Sequence, residues 1–251
     1  MRDMNKSSVD VDDFLFVKGL FKAFGGLRVI NDLSFSLAEG EILGIIGPNG
    51  SGKTTLFNLI SGFLKPDVGT IHFNGERLSG KRPSAICKAG IARTFQLVKP
   101  FPELTALENV MAGRSYGSRP ARNLAAARDE AEEILGMVGM NGKQSMPAGR
   151  LNLLDRKRLE IARALATKPR LMLLDEVFAG LNPAEVEEAL DLIKVMSGLG
   201  ITIMIVEHLM RVILGVSHRV VVISHGAKIF DGAPRRAVED RQVIEAYLGE
   251  D

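Results

Sequence analysis

Nine residues early in the chain restrict what it can fold into. Gly47, Pro48, Asn49, Gly50, Ser51, Gly52, Lys53, Thr54 and Thr55 follow a short apolar run at 41–46. Their spacing is GxxxxGK[ST]. Such a run suits a buried strand, and the glycines suit a tight loop. In that loop the backbone N–H groups point inward and can wrap a phosphate without Cβ clashes. A helix opening at Lys53 would aim the positive end of its dipole at the same anion. Lys53 is then expected to reach the β- and γ-phosphates of a nucleotide, and the Thr54 hydroxyl to ligate Mg²⁺. A glycine-rich turn matching by chance would lack the strand before it and the helix after it.

A second stretch, Leu171, Met172, Leu173, Leu174, Asp175 and Glu176, is four apolar residues and then two acids. A carboxylate at the end of a buried strand is costly unless it is paired or metal-bound. Asp175 is suited to hold Mg²⁺ through its water shell. Glu176 is suited to polarise an attacking water as general base. Two further polar residues follow apolar strands: Gln96 after 91–95, and His208 after 201–206. Each is either a plain strand-end residue facing solvent or a site residue, and a lone histidine is more often structural than catalytic.

The remaining pattern is alternating. Strands are expected at 14–20, 33–37, 41–46 and 70–73, with a helix from the loop through Ser61 and a turn at Asn74-Gly75. Residues 104–140 carry helical periodicity, and strand character is scarce until Leu171. About 84–165 therefore reads as a helical subdomain inserted into an α/β core. The core resumes with strand 171–174, helix 183–198, strand 201–206, helix 208–215 and strand 219–224. Residues 225–251 form a C-terminal helical extension, ending in a helical pattern at 241–248, and residues 1–12 a mobile polar tail. The whole chain, 1–251, is expected to be one domain with a mostly parallel sheet covered on both faces. Ligands of such sheets sit at the carboxyl ends of the strands, where these motifs fall.

Composition narrows the partners. With 32 basic and 30 acidic side chains the net charge is +2, which gives no electrostatic footprint for nucleic acid. The single cysteine, Cys87, precludes a disulfide within the chain and is given no role. The N-terminus lacks the apolar core of a signal peptide. No apolar stretch approaches the ~20 residues of a membrane span, so a membrane role would need another subunit as anchor.

With these landmarks in order, the chain resembles the ATPases of ABC transporters over essentially its whole length. Residues 47–55 look like the Walker A loop, 171–176 like Walker B, Gln96 like the Q-loop glutamine and His208 like the switch histidine. Phe24, in FKAFGG, matches the aromatic on which adenine stacks, and is otherwise a core aromatic. A finer similarity is to the larger ATPase of the paired branched-chain amino acid importers. It is carried by 47–63, 92–110, 159–176 and 243–251. Lipopolysaccharide-exporting ATPases share much of this.

The resemblance implies a P-loop NTPase of the ABC ATPase fold. That fold has a mostly parallel sheet core, antiparallel strands on the N-terminal side and an inserted helical subdomain. It implies an Mg²⁺-dependent ATPase with Lys53, Glu176 and His208 as catalytic residues. Phe24, residues 47–55 and Gln96 would bind ATP, and Thr54, Gln96 and Asp175 would hold Mg²⁺. The implied partners are transmembrane permease subunits, a second ATPase subunit and, indirectly, a solute-binding protein. The implied place is the cytoplasmic face of a bacterial-type inner membrane, as a peripheral subunit. A soluble ABC ATPase acting on DNA or ribosomes is the competing class. It usually carries a coiled-coil insertion or two fused ATPase domains, and neither is present. A nucleotide sensor without hydrolysis is disfavoured by Glu176 and His208.

Two motifs depart from the family pattern. Where LSGGQ is usual the chain has Leu151, Asn152, Leu153, Leu154 and Asp155. Both glycines are leucine, and Asp155 is expected to cap the following helix. In the family this motif meets the γ-phosphate on the partner's Walker A loop. Either the chain forms an asymmetric pair with a second ATPase, or the change is a tolerated variant. In the next motif, Ala179-Gly180-Leu181-Asn182, asparagine stands where aspartate is usual; Asn182 can cap the helix opening at Pro183.

Overall fold

The computed structural model describes residues 14–95, 100–177 and 179–248. Two sheets organise them. The first is antiparallel and contains β1 (Leu15–Phe24), β2 (Leu27–Leu37), β4 (Val68–Phe73) and β5 (Glu76–Arg77), in the order β2-β1-β4-β5. The second contains β3 (Ile42–Ile46), β6 (Ile91–Arg93), β7 (Leu171–Asp175), β8 (Thr202–Val206), β9 (Arg219–Ser224) and β10 (Ala227–Gly232). Its order is β10-β9-β3-β8-β7-β6. All neighbours are parallel except β10, which turns back antiparallel on β9.

The central strands are apolar throughout because both faces are covered. In β3, Leu43 and Ile45 enter one apolar cluster while Ile42 and Ile46 enter the other. In β7, Leu171 and Leu173 divide from Met172 and Leu174 in the same way. The first cluster includes Leu56, Phe57, Leu59 and Ile60 of α1 (Lys53–Ile60) together with Leu15, Leu20 and Leu33 of the antiparallel sheet. Helix α1 is thus held between the two sheets, and truncating the fully buried Phe57 to alanine would cost about 3–5 kcal/mol.

The opposite face carries α3 (Ala106–Tyr116), α4 (Leu124–Met137), α5 (Leu153–Ala166), α6 (Pro183–Gly198) and α7 (Met210–Val216). Ala106, Val110, Ala131, Leu135, Leu159 and Ala162 pack there with Met172 and Leu174. Helix α3 starts at a capping box in which Thr105 and Glu108 satisfy each other's backbone N–H groups.

Two stretches differ from the sequence expectation. The segment 84–165 begins with α2 (Pro83–Lys88) and then β6, which pairs in parallel with β7 at the edge of the core sheet. That strand, expected at 91–95 before Gln96, thus belongs to the core sheet and not to a helical subdomain. The C-terminal piece opens with β10 rather than a helix, then continues as α8 (Pro234–Ala237) and α9 (Arg241–Leu248). Among the described residues no helix is long and apolar enough to cross a membrane.

Candidate nucleotide site

Strand β3 is buried along its whole length and delivers the chain to Gly47. Gly47 has φ 151°, and a Cβ there would lie 2.0 Å from the carbonyl oxygen of Ile223. Gly52 has φ 105°, and its Cβ would meet Val29 O at 2.6 Å. Glycine is therefore required at both ends of the loop. Helix α1 follows with Gly52 at its N-cap and no side-chain cap, so its first N–H groups are presented to the loop's concavity. The loop is braced from outside: Gly226 N–H donates to Ser51 O at 3.1 Å, and Asn31 N–H to Gly226 O at 2.9 Å.

Within the loop, Lys53 is buried and its Nζ donates to Gly47 O at 2.7 Å and Pro48 O at 2.8 Å. Pro48 is buried, Asn49, Gly50 and Thr54 are exposed, and Thr55 is half-buried. Ser51 Oγ is buried and has no hydrogen-bond partner.

Two strands away in the same sheet, β7 ends on Asp175, which is 2% exposed. Its Oδ2 accepts from Arg93 Nη2 at 2.8 Å, its backbone N–H donates to Thr94 Oγ1 at 3.1 Å, and its Oδ1 is buried without a partner. Burial pushes its carboxyl above the usual carboxylate range, and Arg93 offsets part of that. Lys53 and Glu176 are both close enough to act on its charge, with opposite signs.

Glu176 takes φ 51°, a left-handed conformation that costs a residue with a Cβ about 1–2 kcal/mol. The kink ends the strand, while Glu176 N–H still donates to Val206 O at 2.9 Å. Glu176 Oε1 stands 2.8 Å from Nε2 of His208, just beyond β8. Orphaned polar atoms and strain gathered at one strand end make it the candidate site.

The other expected residues fall as follows. Gln96 lies outside the described residues. Phe24, at the tip of the β1–β2 hairpin, is 45% exposed with Lys22 Nζ 5.4 Å from its ring centroid, so it is not a core aromatic. Phe101 is also exposed, with the Arg163 guanidinium 4.9 Å from its ring.

Asp155 does not cap α5. That cap is Asn152, whose side chain accepts from Asp155 N–H at 2.8 Å. Asp155 sits one turn in, where its buried carboxylate takes Lys143 Nζ at 2.6 and 2.7 Å. Leu153 is 54% exposed at the helix start. Asn182 does cap α6, in a reciprocal pair with Glu185.

Sequence reasoning passed over several charged residues inside this frame. Arg93 was a cation inside a short apolar strand, which is the signal that could have found it. Glu160 of α5 accepts Phe95 N–H, and burial pushes its carboxyl up to about 7. Lys157 reaches Val177 O at 3.1 Å and also Ala179 O, tying α5 to the segment after β7. Helical spacing gives no hint of these partners, which are distant in sequence.

Comparison with known proteins gives a consistent picture. Residues 30–179 match the family described as ABC transporter, and residues 227–251 match the branched-chain amino acid ATP-binding cassette transporter family. The high-affinity branched-chain amino acid transport ATP-binding protein LivG of Salmonella typhimurium is 39% identical over 249 residues, covering 94% of this chain and 98% of LivG. A crystal structure of the ADP conformation of an ATP-binding cassette of an ABC transporter superposes with a TM-score of 0.86 at 31% identity, covering 95% of this chain and 99% of that one. A dimeric post-hydrolysis cassette bound to ADP and phosphate superposes with a TM-score of 0.80 at 26% identity, covering 88% and 99%. The chain belongs to the ATP-binding cassette family of ABC transporters.

Proposed function

We propose that this chain binds and hydrolyses ATP at the loop 47–55 and, paired with a second cassette, drives import of branched-chain or related amino acids through membrane permease subunits. The observation that carries the chemistry is the Glu176–His208 contact at 2.8 Å beside a glycine-walled loop with a buried lysine. The likeness to LivG over nearly the whole chain carries the solute class and favours import over lipopolysaccharide export. Cassettes of this family work as pairs with transmembrane subunits, which supports a peripheral place at the inner face of the membrane.

The residues divide the work. Loop N–H groups and the open start of α1 bind phosphate oxygens. Lys53 exchanges the Gly47 and Pro48 carbonyls for the β- and γ-phosphates, so its charge is held ready. Glu176 takes the proton of the attacking water, and His208 fixes the carboxylate that does so. Phe24 offers an exposed flat face to the adenine ring. The unpartnered Asp175 Oδ1 and the exposed Thr54 hydroxyl fit Mg²⁺, with Gln96 completing the set; when bound, that cation neutralises phosphate charge. Among the described residues no three acidic, histidine or cysteine side chains gather as a cage, in keeping with a cation that keeps water and phosphate in its shell.

The altered motif at 151–155 favours unequal sites in that pair. Leu153 is exposed where a glycine would let backbone approach phosphate, and the Asp155 charge sits in the first turn of α5. A partner cassette would then supply the effective motif to this chain's loop. Converting Leu153 and Leu154 to glycine should raise turnover of the isolated chain; unchanged turnover would make the leucines a tolerated variant.

The transport reading is tested by uptake of labelled leucine in cells lacking the gene. Wild type should restore uptake and Lys53→Ala should not. Normal uptake without the gene, or restoration by both chains, would contradict it.

A further inference from the structure

Arg93 and Asp175 form an ion pair with side chains only 6% and 2% exposed. Removing two charges from water costs several kcal/mol per ion, and a well-packed apolar pair in their place is often as stable. Stability alone is therefore a poor reason for the pair, and its geometry points elsewhere.

The guanidinium is held through both terminal nitrogens, while its Nε is buried without a partner. Nη2 takes Asp175 Oδ2 at 2.8 Å, while Nη1 takes Asn58 Oδ1 at 2.7 Å and Ser61 Oγ at 3.0 Å. Asn58 belongs to α1, the helix that opens at Lys53, and Ser61 is its C-cap. Phe57 and Phe95 lie against the cation with ring centroids 5.7 and 5.0 Å away. Phe95 is itself fixed, its N–H donating to Glu160 of α5. A guanidinium so restrained cannot swing with a moving carboxylate, so it holds Asp175 Oδ2 in place. The pair engages one carboxylate oxygen and leaves the other, Asp175 Oδ1, buried with no partner, which is costly unless a ligand takes it.

We propose that Arg93 is a positioning residue that anchors one oxygen of Asp175 to α1 and so presents the other to the nucleotide-bound Mg²⁺. The inference rests on the reading that Asp175 serves that cation. Arg93 does not touch nucleotide; it sets the angle at which Asp175 meets the site and ties that angle to the helix behind the phosphate loop. Outer partners of this kind typically set metal affinity by about 10–100-fold.

The test is binding of a fluorescent ADP analogue to the full chain, titrated with Mg²⁺, with thermal denaturation run on each variant. Arg93→Met should raise the Mg²⁺ midpoint by about 10-fold or more while Mg²⁺-free affinity stays within about twofold. Arg93→Lys keeps the charge but loses the fork, and should give an intermediate shift. Asn58→Ala leaves the ion pair in place and removes one strut; it should raise the midpoint several-fold with little change in melting temperature. If Arg93→Met does not fold, the other two variants decide. Wild-type midpoints in Arg93→Lys and Asn58→Ala would overturn the proposal and leave Arg93 a structural partner. Wild-type binding indifferent to Mg²⁺ would instead overturn the reading of Asp175, and this inference with it.

Discussion

Glu176 Oε1 and His208 Nε2 stand 2.8 Å apart although 32 residues separate them in the chain. The contact exists because β7 and β8 are parallel neighbours, with Asp175 in register with Val206. One strand ends on a kinked glutamate and the other runs on to a histidine, so their side chains meet above the sheet. If the histidine orients the base, Glu176→Gln should lower turnover by about 10² to 10⁴-fold and His208→Ala by a similar factor. ATP affinity should persist in both variants. Equilibrium binding beside phosphate release separates the two effects.

Lys53 offers a different signature. Its ammonium is buried on two loop carbonyls at 2.7 and 2.8 Å, where the proposed function puts the phosphates. Replacing it with alanine removes a charge-assisted contact of about 1.5–3 kcal/mol, or about 10–100-fold in ATP affinity. Adenosine, which lacks phosphates, should bind both proteins equally in calorimetry.

Gly47 and Gly50 provide a paired test of the loop's shape. Alanine at 47 would put a Cβ 2.0 Å from Ile223 O, whereas at 50 it meets nothing within 4 Å. Gly47→Ala should lose well over about 2 kcal/mol of stability, or not fold. Gly50→Ala carries only the left-handed penalty of about 1–2 kcal/mol. Urea denaturation ranks them.

Glu160 makes stability depend on pH. Burial raises its carboxyl from 4.5 to about 7. A carboxyl raised on folding favours the protonated native state, so its contribution is fullest below pH 4.5 and is lost as pH rises toward 7. Glu160→Gln removes the titration and keeps an acceptor for Phe95 N–H. The stability of wild type relative to this variant should therefore fall by about 2 kcal/mol between pH 5 and pH 8. A parallel pH dependence of the two proteins in urea melts would count against it.

The core sheet and the phosphate loop were legible in the sequence because their signals are local. A five-residue apolar run, a glycine spacing and an acid pair at a strand end each act within a few residues. Asn182 was legible for the same reason, since a cap bonds two and three residues ahead. The residues that escaped notice bond across the fold. Arg93 meets Asp175 over 82 positions, and Glu160 meets Phe95 over 65. Asp155 misled because an acid near a helix start resembles a cap; the cap went to Asn152, three residues earlier, and Lys143 claimed the acid. The place of the short strand at 91–93 in the core sheet was obscured by the helical texture after it, and β10 by the helical pattern that follows it.

The most direct measurement is phosphate release from Mg²⁺–ATP by the purified chain, wild type beside Glu176→Gln. Wild type should release phosphate, and the variant should bind ATP yet release it about 10² to 10⁴-fold more slowly. Coincident time courses would contradict the assignment of Glu176 as the base and of this loop as the site of hydrolysis.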